Sequence, residues 1–176
     1  MERARNKGVS YENNLYEQIC HNNLYFFAWA AIQSFAGYIA FRIPDRFFNP
    51  CSFLYRTRKW EKQGKVYETI FKIKTWKKLL PDGGNFFKGG FAKKKLISSK
   101  PEYIEKFIIE TCRAELTHWL AIAPFWVFGL WSDVSVIKYM FIYAVGANMP
   151  CILAQRYNRP RLQKLLKRQN DLPSSA

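Results

Sequence analysis

Few of the residues that ordinarily announce an enzyme are present. The 176-residue chain has two histidines and four cysteines. Cys20, Cys51, Cys112 and Cys151 show neither paired spacing nor a CxxC step, which excludes a disulfide framework and a zinc site and fits a reducing, cytoplasm-facing setting. There is no Walker spacing, and no GxSxG elbow or Cys-His arrangement suggests an acyl-enzyme, so an acyl-enzyme intermediate and a P-loop are both unexpected. His21 has no aspartate at the HxxxxD spacing of many glycerolipid acyltransferases and reads as an exposed interfacial residue. Acidic residues are scarce, 13 against 28 Lys and Arg, giving a net charge of +15 and a pI near 9.8. No small-residue cleavage site precedes the first apolar run, so a cleavable signal peptide is not expected.

What is abundant is apolar surface: 49% of residues are hydrophobic and 18% aromatic. So basic a chain suits either nucleic acid or an anionic membrane. The distribution favours the membrane, because the apolar residues are concentrated in runs while Lys and Arg lie between and after them. Residues 24–41, LYFFAWAAIQSFAGYIAF, carry no charge and predict a first transmembrane helix. Pro44, between Arg42 and Arg46, stops it at headgroup depth. Two further runs, 116–131 and 136–155, flank the turn Ser132-Asp133-Val134-Ser135 and predict a hairpin of tilted or kinked spans. Between the first span and this hairpin, Val66, Ile70, Ile73, Trp76 and Leu80 recur against lysines, the pattern of an interfacial helix or of a solvated basic face. Pro81-Asp82-Gly83-Gly84-Asn85 and Lys88-Gly89-Gly90 then signal turns.

The expected fold is therefore an all-α membrane protein with about three transmembrane helices, interfacial amphipathic helices and a basic cytoplasmic segment. It divides into a polar segment 1–23, a single membrane-embedded unit 24–168 and a tail 169–176. Charge places 42–116 and the segment after Gln155 in the cytoplasm, and the N-terminus outside. Membrane lipids are expected partners, nucleic acid is not, and neither a metal nor a bound cofactor is implied.

The chemistry concentrates at the start of the hairpin. Ser99, Pro101 and Glu102 predict a helix start. At 100° per residue Ile104, Ile108, Thr111, Cys112, Glu115, His118, Trp119 and Ile122 share one face. Glu115 and His118 stand three residues apart there, close enough for the carboxylate to hold an imidazole N–H; the plainer alternative is a polar pair at the lipid interface. Ionisable groups in spans usually face a bundle interior and a function. Asn148, beside Pro150, makes a polar notch in the last run, as a packing amide or as an oxyanion donor. Arg156, Asn158, Arg159 and Arg161 crowd the same mouth, as phosphate ligands for an acyl donor or as positive-inside anchors.

Four boxes occur in order: Arg42-Ile43-Pro44-Asp45-Arg46-Phe47-Phe48; Lys74-Thr75-Trp76-Lys77-Lys78 before Asp82-Gly83; Arg113-Ala114-Glu115-Leu116-Thr117-His118-Trp119; and Gln155-Arg156-Tyr157-Asn158-Arg159-Pro160-Arg161-Leu162. From about residue 30 to 168 the chain resembles the glycosyl-4,4'-diaponeurosporenoate acyltransferase family, most specifically in the last box. The resemblance implies transfer of a fatty acyl group to the glucose 6-hydroxyl of a glycosylated carotenoid acid or similar glycolipid at the cell membrane; the donor expected beside it, with no acyl-enzyme indicated, is a thioester, acyl-CoA or acyl-carrier protein. It implies the closing step of staphyloxanthin formation. Cys112 departs from the family's lysine at that place, which argues against a nucleophilic role. On this reading His118 is the general base, Glu115 its orienting partner and Asn148 an oxyanion donor. A non-catalytic membrane adaptor and a glycolipid carrier are the alternatives.

Overall fold

Helix formation follows the apolar runs. The computed structural model describes residues 2–80, 98 and 100–171, with side chains from residue 22 onward. Among these residues every regular element is helical. Helix α1 runs Glu2–Arg42, so the uncharged run continues a helix that begins far upstream and is roughly 60 Å long at the usual rise. Pro44 ends it as expected, followed by a 3₁₀ turn at Asp45–Phe47. Helix α4 spans Pro101–Ile122, with Lys100 at its N-cap and Pro101 in its first turn. Ser99, read as the capping residue, lies outside the described residues, as do the turns at 81–85 and 88–90 and the tail beyond 171. Helix α5, Val134–Asn170, continues through Pro150 and Pro160.

Two helices are long and apolar enough to cross a membrane, Asn22–Arg42 and Val134–Asn170. A core helix of a water-soluble fold would be mostly buried, whereas only 17% of each apolar window is covered by the rest of the protein. Phe26, Phe27, Phe35, Phe141, Ile142 and Tyr143 are all exposed. The third expected span, 116–131, is of another kind. Helix α4 ends at Ile122 and the chain kinks at Pro124 into a 3₁₀ stretch, Ala123–Leu130, so this run is not one of the two.

The three segments pack side by side through small residues and aromatics. Trp29 stacks on Phe128 and Tyr143, Tyr25 Oη is 2.7 Å from Ser132 Oγ, and Arg113 donates to the carbonyls of Ala40 and Ile43 at 2.6 Å. Helix α1 therefore runs antiparallel to α4 and parallel to α5. Ser132 lies at one end of the bundle and Arg113 at the other.

The stretch read as one interfacial helix over 66–80 is broken in the structure. Helix α2, Lys65–Thr69, and α3, Ile73–Trp76, are separated at Lys72, whose φ of 47° is left-handed. Ile73 is fully buried with Tyr67 against Ala154 and Tyr157 of α5, while Ile70 and Leu79 are exposed. The apolar spacing is that of a helix, but Ile73 and Ile70 face opposite environments, so this segment folds as a knot on α5 rather than presenting one apolar face.

Candidate active site

Two polar clusters occupy the mouth and the interior of the bundle, and they divide the expected site residues between them. The first is an ionic knot. Glu115, wholly buried, accepts from Arg156 Nη1 and from Arg159 Nη2, both at 2.6 Å. Arg156 also donates to the buried carboxylate of Glu61 at 2.6 and 2.9 Å and to the carbonyls of Leu54 and Arg56. Arg159, 1% exposed, completes its set with Thr111 Oγ1, Thr111 O and Tyr55 O. Two carboxylates balance two guanidinium groups, and the planar forks reach backbone as well as carboxylate; buried ion pairs persist only with such completeness. The segment 54–61 is thereby pinned to α4 and α5.

Arg161 lies 3.7 Å over the Tyr157 ring and pairs with Glu68. Lys77 Nζ donates to Asn158 Oδ1 at 3.3 Å. Arg156, Asn158, Arg159 and Arg161 do gather at one mouth, but Arg156 and Arg159 are committed inside the protein. Burial pushes the Cys112 thiol up to about 11, so it stays protonated at neutral pH, in keeping with the expectation that it is no nucleophile.

The second cluster lies deeper. His118 is roughly 8 Å further along α4 than Arg113 at the helical rise. Its Nδ1 is 2.9 Å from Asn148 Oδ1. Asn148, 1% exposed, donates from Nδ2 to Ala144 O at 3.0 Å, and its Oδ1 also accepts from Gln33 Nε2 at 3.2 Å. The Ala144 carbonyl fixes which way the amide points, because only nitrogen can face an acceptor. The oxygen facing His118 is an acceptor, so Nδ1 donates to it.

Of the three residues expected to act together, Glu115 is thus held apart from His118 and Asn148, which meet each other. Both Glu115 oxygens are engaged by arginines, and the residue holding the imidazole is Asn148. Helical spacing does place Glu115 and His118 on one face, but it is silent about α5, which supplies the stronger partner to each. Gln33 is the one amide side chain in the uncharged run 24–41, and a lone amide in a spanning segment is the signal the sequence carries for it. Trp119 is half-buried, Phe125 packs on Phe141 at 4.9 Å, and Trp126 is exposed. A shallow apolar groove of 590 Å³ on α1 is lined by Ala31, Ile32, Ser34, Phe35 and Tyr38.

Residues 50–168 match the family model described as glycosyl-4,4'-diaponeurosporenoate acyltransferase. Three curated proteins of that name from Staphylococcus aureus are similar over 140 residues, 79% of this chain and 84% of theirs. Those of strains MRSA252 and N315 are 38% identical, and that of strain RF122 / ET3-1 is 37% identical. No solved structure matches. The ionic knot and His118 both fall inside the matched residues, and the chain belongs to the glycosyl-4,4'-diaponeurosporenoate acyltransferase family, as an acyltransferase of carotenoid biosynthesis.

Proposed function

We propose that this protein esterifies a sugar hydroxyl, the glucose 6-position, of a glycosylated carotenoid acid with a fatty acyl group taken from a thioester, acyl-CoA or an acyl-carrier protein. The acceptor class follows from the name its relatives carry. The observation that supports the mechanism is the 2.9 Å approach of His118 Nδ1 to Asn148 Oδ1 inside an apolar bundle. His118 Nε2 takes the hydroxyl proton as the oxygen attacks the thioester carbonyl. The C–O bond forms, the C–S bond breaks, and the imidazolium returns its proton to the departing thiolate, so no covalent enzyme intermediate is required.

Asn148 serves here as the group that holds the imidazole, with its oxygen and one amide proton engaged, and its second amide proton is the donor for an oxyanion. Glu115 keeps the mouth folded. Recognition of the donor's phosphate falls to Arg161, Lys74 and Lys77, which retain solvent access, with Asn158 holding Lys77; Arg156 and Arg159 are structural. The protein is multi-pass in the cell membrane, with 116–131 as a short third crossing and the C-terminus cytoplasmic.

The test is turnover: membranes containing the protein, supplied with glycosylated carotenoid acid and labelled fatty acyl thioester, yield the acylated glycolipid. His118→Ala abolishes it. Acceptor binding without turnover would instead identify a carrier, and full activity of His118→Ala would remove the base from the mechanism.

A further inference from the structure

We propose that residues 42–58 form a binding surface for anionic phospholipid, in which four outer arginines hold headgroup phosphates and the aromatic rings they stand on lie at the acyl boundary. The inference rests on the protein being embedded in the membrane, and not on the assignment of the base.

The arginines at the basic end of the bundle fall into two sets. Arg113, Arg156 and Arg159 are turned inward, and each meets a carboxylate: Asp45 and Glu110 for Arg113, Glu61 and Glu115 for Arg156, Glu115 for Arg159. Arg42, Arg46 and Arg56, all exposed, and Arg58, half-buried, form the outer set. None of their guanidinium groups pairs with a carboxylate among the described residues, because the nearby acids Asp45 and Glu61 are engaged by the inner set. Each outer arginine lies instead by an exposed aromatic ring. Arg42 is 6.0 Å from the centre of Tyr38, Arg46 5.1 Å from Phe47, and Arg56 and Arg58 are 5.3 and 4.4 Å from Phe53. Arg58 is fixed there by its hydrogen bond to the Phe53 carbonyl at 2.8 Å. A ring face attracts a cation without neutralising it, and two guanidinium groups on one ring repel each other, so an anion from outside completes the arrangement.

Depth selects the anion. Arg156 and Arg159 reach the carbonyls of Leu54, Tyr55 and Arg56 while they hold Glu115. Glu115 stands about 3 Å further into the bundle than Arg113 at the helical rise. Arg113 itself bonds the carbonyls of Ala40 and Ile43 at the end of α1. Residues 54–56 are therefore level with the last turns of the spanning part of α1. Phe53, 73% exposed, and Leu54, also exposed, face the acyl boundary, and a guanidinium standing on a ring at that level meets lipid phosphate. An acidic protein could match the charge, but it would approach from water, beyond the end of the span.

Full-length protein in phosphatidylcholine bilayers, with a trace of spin-labelled phosphatidylglycerol or spin-labelled phosphatidylcholine, reports by electron paramagnetic resonance which lipid is immobilised at its surface. The wild type holds phosphatidylglycerol over phosphatidylcholine by roughly threefold or more. Arg56→Gln with Arg58→Gln, and separately Arg42→Gln with Arg46→Gln, each lower that ratio roughly twofold or more. Lys167→Gln with Arg168→Gln removes the same charge about 17 Å or more beyond Arg156 along α5 and leaves the ratio unchanged. Immobilised lipid in a variant shows that it is inserted, so a lost preference there is not lost structure.

Equal retention of the two lipids by the wild type, or a ratio lowered as far by the Lys167 and Arg168 changes, would overturn the site. An unchanged ratio in both outer-arginine variants would do so as well; if those variants lost binding of an acidic acyl-carrier protein instead, the surface would be a protein-docking face. Absence of immobilised lipid with either label would remove the membrane reading and this site with it, whereas immobilised lipid without preference removes the site alone.

Discussion

His118 and Glu115 are three residues apart on one helix, yet they belong to different kinds of environment. Glu115 neutralises Arg159, itself 1% exposed, and part of Arg156. Substituting Glu115→Gln keeps the shape and leaves a buried guanidinium without its counter-charge. Breaking a buried pair in this way costs about 3 kcal/mol or more. The expected outcome is a lowered melting temperature in detergent, with lost activity tracking lost fold. His118→Ala removes a half-buried ring and is expected to leave the melting temperature within a few degrees while kcat falls roughly 10²- to 10⁴-fold. If His118→Ala were stable and active while Glu115→Gln were stable and inactive, the division between structural knot and proposed chemical site would be wrong.

At the scale of elements, what holds the pieces together is a set of contacts between segments distant in sequence. Gly64 follows Lys62 and Gln63, both left-handed, and has a φ of 85° itself. A Cβ there would stand 3.1 Å from Arg161 Nη1 and 3.3 Å from the Tyr157 carbonyl on α5. Gly64→Ala is therefore expected to destabilise by roughly 1–2 kcal/mol from the backbone alone, read as a lower thermal midpoint. At the end of α1, Asp45 pairs with Lys106 at 2.7 Å and with Arg113. The hydrogen bond from Lys106 holds the Asp45 carboxyl below its ordinary value of 3.8. A depressed carboxyl stabilises the fold above that value and ceases to as the pH falls through the lower, folded value. Asp45→Asn should lower the melting temperature at neutral pH, with the difference from wild type shrinking as the pH falls from 3.8 and vanishing below the depressed folded value; a difference that stays constant through that fall would exclude this clamp as its source. These contacts also show what the residues disclosed in advance. The uncharged run 24–41 and Pro101 announce α1 and α4, because hydropathy and proline act locally. Left-handed backbone at Lys72 leaves no local mark on a lysine, so the break between α2 and α3 was hidden behind a helical spacing. The partners of Glu115 lie about forty residues away, beyond any argument from i+3 geometry. Pro44 and the mouth arginines were visible; who held whom was not.

For the whole molecule, the decisive asymmetry is between its two ends. Around Ser132 the surface carries Trp131, Leu130, Val134 and Tyr139, all exposed, with Asp133 and Lys138 as the nearby charges. The opposite end carries the ionic knot, the lysines of 59–78 and the basic C-terminal part of α5. Positive charge retained beside the ends of spans favours the cytoplasmic side, and aromatic residues favour the interface. The lysine-rich end should therefore face the cytoplasm, with the turn at Ser132 outside. His118 lies inside the bundle a few ångströms below the basic end, so a donor whose phosphate is held by Arg161, Lys74 and Lys77 would approach from the side where fatty acyl thioesters are made, while a lipid acceptor would arrive within the leaflet. Cys51 is exposed at the basic end and Asp133 is exposed at the other. With the remaining cysteines replaced by alanine, a membrane-impermeant maleimide added to intact cells should label Asp133→Cys and spare Cys51, and permeabilisation should make Cys51 reactive. Labelling of Cys51 from outside would reverse the orientation and place Arg161, Lys74 and Lys77 on the face that acyl donors do not reach.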